Sequence, residues 1–174
     1  PRFYDASEGE VLVDGVNVKE YKQAALNNKL GYVPQRAVMF TGTVKENVSY
    51  GDNGKKEITD EKIKEAIKVA QGKDFVEKME NKYDGHIARG GTNVSGGQKQ
   101  RLAIARAIAR DPEIYIFDDS FSALDYRTDA VLRSELKKYT KDATSLIVAQ
   151  RIGTIINADK IIVLDQGECV GIGT

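Results

Sequence analysis

Apolar residues fall along this chain in two rhythms. Near the N-terminus, Glu10-Val11-Leu12-Val13 followed by Asp14-Gly15 predicts a strand closed by a tight turn. Leu30-Gly31-Tyr32-Val33 predicts a second strand, stopped by Pro34. A polar loop over 51–56 follows, and the spacing then becomes helical. Thr59 is placed to cap a helix, with Ile58 and Ile63 stapling its entry. Ile63, Ala66, Ile67 and Ala70 form its apolar stripe until Gly72 stops it, and a shorter helix carries Phe75, Val76 and Met79. From Ser95 to Arg110 the pattern is a long helix with Leu102, Ala105 and Ala109 on one face and Ile104 and Ile108 beside it, ended by Asp111-Pro112.

Beyond that helix the rhythm alternates. Ile114 to Asp118 is a continuous apolar run suited to a buried parallel strand. Leu132, Leu136 and Tyr139 mark a helix, while 145–149 and 160–164 predict two more buried strands. Asp165-Gln166-Gly167 turns into a last strand through Val170. The alternation predicts an α/β sheet domain, with residues 57–110 as a helical insertion.

Composition narrows the classes of function. A chain of 174 residues can bury a real core, and 41% hydrophobic with 30% charged residues is globular in character. Its 26 basic and 26 acidic residues leave no net field to draw nucleic acid or acidic lipid. No run approaches the roughly 20 apolar residues of a membrane span, and Pro1-Arg2-Phe3-Tyr4-Asp5 does not resemble a secretion signal. Cys169, the single cysteine, excludes an internal disulfide and fits a reducing compartment.

Two features carry chemistry. Asn93-Val94-Ser95-Gly96-Gly97-Gln98-Lys99-Gln100-Arg101 opens the long helix with a glycine turn, which leaves backbone N–H groups facing outward. Bare N–H groups at a helix N-terminus attract phosphate. The strand from Ile114 ends in Asp118-Asp119, a place where a carboxylate can hold a magnesium ion through water. Together they point to a nucleoside triphosphate. Ser-Gly-Gly taken alone describes any capped helix; the residues after it and the acidic strand end make the case.

With these motifs in their order, the chain resembles the nucleotide-binding domain of an ABC transporter of the exporter type, over nearly its whole length. The resemblance implies a P-loop NTPase-like (RecA-like) parallel sheet core, incomplete at its N-terminus, with an inserted α-helical subdomain. It divides one domain into a partial core with the Q-loop (1–56), a helical subdomain ending in the signature helix (57–110) and a second part of the core (111–174). Ser95, Gly96, Gly97 and Gln98 match the signature that closes over an ATP held by the opposite subunit. Asp118 matches the Walker B aspartate and Gln35, in Val33-Pro34-Gln35, the Q-loop glutamine; both would serve magnesium. The segment from Phe40 to Val48 resembles the exporter version of this region, and Asp125, in Ser122-Ala123-Leu124-Asp125, matches the D-loop that touches the partner. The implied cofactors are ATP and Mg2+. The implied partners are a second nucleotide-binding domain and a transmembrane domain, with no nucleic acid, at the cytoplasmic face of the membrane.

Four departures sharpen this. Asp119 occupies the position of the catalytic glutamate, and aspartate retracts the carboxylate by roughly 1.5 Å. Misplacement on the order of 1 Å can cost about 100-fold in rate. Gln150 stands where the family keeps its switch histidine; an amide donates a hydrogen bond but does not titrate near neutral pH. Arg89 replaces the glutamate usual in exporters, which affects the expected contact with the membrane domain, and His86 lies elsewhere in the chain. No Gly-x-x-x-x-Gly-Lys-Ser/Thr loop is present. The resemblance places that loop and the adenine-stacking aromatic upstream of Pro1. We therefore expect a fragment of a larger subunit, binding ATP poorly and inactive by itself, with Asp119, Gln150 and Gln35 in the catalytic positions. With its altered residues beside an intact signature, it resembles the degenerate-site subunit of a heterodimeric exporter, completing the site of its partner. A soluble ABC-type ATPase acting on ribosomes or DNA is the alternative; such relatives usually carry a second nucleotide domain or a long coiled-coil insertion.

Overall fold

The computed structural model describes every residue except Asp52, Lys55 and Lys56, so the expected loop over 51–56 lies partly outside the described residues. Strands β1 (Leu12–Val13) and β2 (Val16–Asn17) form a hairpin. Its turn needs left-handed backbone at both central positions, and Asp14 and Gly15 supply φ of 51° and 75°. Helix α1 (Gln23–Lys29) buries only Leu26, too little for apolar spacing to announce it. It runs directly into β3 (Leu30–Val33).

After the short β4 (Gly42–Thr43) comes α2 (Val44–Val48). Five residues cannot hold a helix by propensity alone, and a reciprocal capping box does the rest. Glu46 donates its N–H to Thr43 Oγ1 at 3.1 Å, and Thr43 donates its N–H to Glu46 Oε2 at 2.6 Å. Helix α3 (Asp60–Val69) starts as expected, with Thr59 accepting from the Lys62 N–H, and Ile63, Ala66, Ile67 and Ala70 are all buried. Helix α4 (Lys73–Val76) follows, and β5 (His86–Ile87) pairs antiparallel with β4.

Helix α5 (Gly96–Ala109) is the spine of the fold. Leu102, Ile104, Ala105 and Ile108 are wholly buried, in one core that also takes in α3 and the β3 strand end at Val33. Arg106 fastens α5 to α2, donating to the Asn47 carbonyl at 2.7 Å and the Val38 carbonyl at 3.2 Å beneath the stacked rings of Phe40 and Tyr50. Burial pushes its guanidinium down to about 10, so it stays charged at neutral pH. Lysine offers one point where arginine offers a fork, so Arg106→Lys should destabilise the domain by about 1–2 kcal/mol, read as a lower urea midpoint.

Strand β6 (Ile114–Asp118) lies parallel between β3 and β7 (Thr144–Val148), giving the order β3-β6-β7. Phe117 and Tyr115 are buried beneath the helices. Packing against α5 is close where β3 passes its end. A Cβ on Gly31 would stand 2.7 Å from Pro112 Cγ and 3.4 Å from the Ala107 carbonyl. Helix α6 (Tyr126–Tyr139) is capped by Asp125, and its buried Asp129 holds Arg133 through two bonds of 2.8 and 3.1 Å. The single turn α7 (Ile152–Ile155) precedes a final hairpin, β8 (Ile161–Asp165) and β9 (Glu168–Gly173).

The expected buried strands over 145–149 and 160–164 need correction. Leu146 and Val148 are 54% and 50% exposed, and β8 pairs only with β9, leaving Ile162 and Leu164 at 56% and 68%. β7 is an edge strand, and no described element covers its outer face. Apolar runs report what a strand is built to bury, not what lies against it.

Candidate functional site

Three parallel strands end at one edge. Val33 pairs with Phe117 and Asp118 with Val148, so the residues that follow each strand emerge side by side. Those residues are Gln35 after β3, Asp118 and Asp119 at the end of β6, and Gln150 after β7. Open α/β sheets bind ligands in the crevice beyond their carboxyl ends.

Hydrogen bonds order this edge. Gln35 Nε2 donates to Asp119 Oδ2 at 3.1 Å, and the Tyr32 hydroxyl donates to Asp118 Oδ2 at 3.0 Å. Burial raises the Tyr32 hydroxyl's pKa, with the Asp118 carboxylate adding to it, so the tyrosine remains a donor. Asp119 itself sits in the left-handed region at φ 44°. Such a conformation in a non-glycine residue needs support from its surroundings. Here its N–H donates to the Val148 carbonyl at 3.0 Å, and its own carbonyl accepts from Ser122 Oγ at 2.8 Å. Buried Ser120 donates to the Val33 carbonyl at 2.8 Å. Arg133 reaches the Gly153 carbonyl at 2.8 Å and Arg151 the Ser122 carbonyl at 3.4 Å, which steadies the segment around Gln150 from both sides. Gln150 is exposed.

Ser95, Gly96, Gly97 and Gln98 belong to a second cluster. Ser95 and Gln98 form a capping box: the Gln98 N–H meets Ser95 Oγ at 3.2 Å, and the Ser95 N–H meets Gln98 Oε1 at 2.9 Å. With that oxygen accepting, the hydroxyl hydrogen is left to donate elsewhere. A Cβ on Gly96 would meet nothing within 4 Å, whereas one on Gly97 would lie 3.4 Å from the Ala123 carbonyl. The helix start therefore packs against the turn leading to Asp125 on one side and is open on the other. The Asp125 carboxylate accepts from the Thr128 N–H at 3.0 Å, which holds its pKa below the usual carboxylate range, and its charge also acts on half-buried Arg101. Arg101 donates to the Gln71 carbonyl at 2.7 Å and lies over Phe75, anchoring the helix start to α4. Among the described residues, no hydrogen bond or ion pair joins Ser95 or Gln98 to Asp118, Asp119 or Gln150. Arg89 is exposed, as is His86 on β5.

Among the described residues no group of three or more His, Cys, Asp or Glu forms a metal cage. A carboxylate and an amide at the sheet edge are hard oxygen donors. They suit a cation that takes its remaining ligands from water and phosphate, which is magnesium's habit. Spacing arguments passed over Tyr32, Gln100 and Ser120, though Gln100 interrupts an apolar helix face and that signal is visible in the sequence.

Comparison with known proteins identifies the family and the fold. The family model described as ABC transporter matches residues 2–122. An uncharacterized ABC transporter ATP-binding protein of Mycobacterium tuberculosis is 47% identical over 99% of this chain and 29% of its own length. A Staphylococcus aureus protein named for multidrug export, an ATP-binding/permease protein, is 42% identical over the whole chain and 30% of its own. The structure of a bacterial Atm1-family ABC exporter with ATP bound superposes with a TM-score of 0.93 at 37% identity, covering 99% of this chain and 30% of that one. The chain thus spans under a third of the length of these relatives. No helix among the described residues is long and apolar enough to cross a membrane.

Proposed function

This chain belongs to the ABC transporter family, and on that premise we propose that it is part of the ATP-binding domain of an exporter subunit working at the cytoplasmic membrane face. The observation that carries the proposal is the presence of two half-sites on one chain. Gln35, Asp118, Asp119 and Gln150 share the sheet edge, while Ser95 to Gln98 present a separate open helix start. One chain cannot close a helix start over its own sheet edge when the two form separate clusters, which favours a second domain facing it. The division into core segments 1–56 and 111–174 around a helical subdomain, 57–110, follows the same reading. The Atm1-family exporter, solved with ATP bound, supports the fold of such a domain.

Each residue then has a role. Asp118, by its carboxylate, and Gln35, by its amide oxygen, would hold magnesium. When bound there, the ion would supply positive charge against the phosphates. Tyr32 keeps Asp118 oriented by donating to it. Ser95 and the outward N–H groups of α5 receive the terminal phosphate of an ATP held by the partner, where the helix dipole favours negative charge. Asp125 steadies the turn beneath that helix start.

At its own sheet edge, this chain holds nucleotide more than it hydrolyses it. The Asp119 carboxylate is short for reaching an attacking water and already accepts from Gln35 at 3.1 Å. Gln150 cannot carry charge near neutral pH. The partner, a distinct subunit with glutamate and histidine at these positions, would hold the hydrolysing site that Ser95 completes. A general base contributes about 100- to 10,000-fold, so Asp119→Asn separates the alternatives. In the full-length pair its turnover should stay within about threefold of the unmodified protein; a loss of about 100-fold or more makes this subunit the catalytic one.

A further inference from the structure

Gln100 is a polar residue on the buried face of α5, 2% exposed and in line with Ile104 and Ala107. Its Nε2 donates to the Pro34 carbonyl at 3.1 Å. Pro34 follows β3 directly, and one residue further on, Gln35 donates to Asp119. From the opposite flank, Ser120 Oγ holds the Val33 carbonyl at 2.8 Å. The root of the Gln35 loop is therefore fixed on two sides, by the turn that carries Asp119 and by the helix that begins at Ser95. From Ser95 to Gln100 the helix is continuous and about 7.5 Å long, too short to bend without breaking its own hydrogen bonds.

We infer that Gln100 is a positioning residue that ties the Gln35 loop to the signature helix, so that orientation of Gln35 at one nucleotide site and closure of Ser95 to Gly97 over the other move as one body. The inference rests on the ATPase function proposed above. The two nucleotide sites are then coupled inside a single chain, through one side-chain amide and one proline carbonyl. Loosening that tie slows closure over the hydrolysing site without altering any group that touches its nucleotide.

Gln100→Met keeps the volume of the side chain and removes the donor. In the full-length pair it should lower ATP turnover by about fivefold, the low end of site-to-site coupling. Combined with Gln35→Ala it should add no further loss, because Gln100 acts through Gln35. Equal losses in both backgrounds, or no loss in the unmodified background, overturn the inference. Hydrogen exchange at the Gln35 and Arg36 amides gives a readout that needs no turnover. Faster exchange in Gln100→Met supports the tie and unchanged exchange overturns it. A full-length pair that hydrolyses no ATP at all would sink the ATPase reading instead, and the exchange result would still decide this one.

Discussion

Replacing Gly96 with aspartate is expected to lower ATP turnover of the full-length pair by about 100-fold, the scale of losing a preorganised donor to a developing anion. The same change should leave the domain no easier to unfold. A Cβ at Gly96 meets nothing within 4 Å, so the fold has room for the side chain. A carboxylate in the first turn of a helix also interacts favourably with the dipole, by about 0.3–1 kcal/mol, and Gly96 has no positive φ that would require glycine. What the carboxylate cannot tolerate is a phosphate arriving at the same N–H groups. Gly96→Ala is the control: it adds bulk without charge and should cost turnover far less. Steady-state ATPase assays beside thermal unfolding decide the matter. Full turnover in the aspartate variant would mean that no phosphate comes to this helix start.

The second large effect lies beneath the site. Gly31→Ala should destabilise the domain by about 3 kcal/mol, at the upper end for overpacking a tight core. The new methyl would stand 2.7 Å from Pro112 Cγ and 3.4 Å from the Ala107 carbonyl. Neither neighbour is a flexible side-chain end: one is a ring and the other backbone at the close of α5. β3 must therefore move away from α5, and with it the Pro34 carbonyl that Gln100 holds. Urea unfolding would show the loss as a lower midpoint with little change in slope. A midpoint equal to that of the unmodified protein would show that β3 and α5 can separate by a few tenths of an ångström at no cost.

How much of this was legible in advance depends on the length of each pattern. α3 and α5 span several turns, so their apolar stripes, with Thr59 and Ser95 as caps, mark them clearly in the sequence. α1, with Leu26 as its one buried residue, has no stripe to read. α2 is five residues long, yet Thr43-Val44-Lys45-Glu46 spells its capping box, so that signal was available. The residues at the sheet edge were legible as motifs; their mutual bonds were not. That Asp119 takes a left-handed backbone and accepts from Gln35 depends on β3 and β6 lying side by side, which local sequence does not encode. The apolar runs of β7 and β8 promised burial, but their partners are an edge and a lone hairpin.

The parallel pairing of β3 with β6 also sets a timetable. Lys29 and Glu113, which bridge at 2.6 Å as the two strands begin, are 84 residues apart in the chain. At about 5–20 residues per second, β3 leaves the ribosome roughly 4–17 seconds before the strand it must pair with. During that interval Leu30 and Val33 lack β6, the strand they pair with, while the helices of the intervening segment can already form from local contacts. A slow stretch of translation within 57–110 would lengthen the exposure of β3 without altering one residue of the finished protein. Its yield, unlike its stability, should therefore respond to codon choice in that segment.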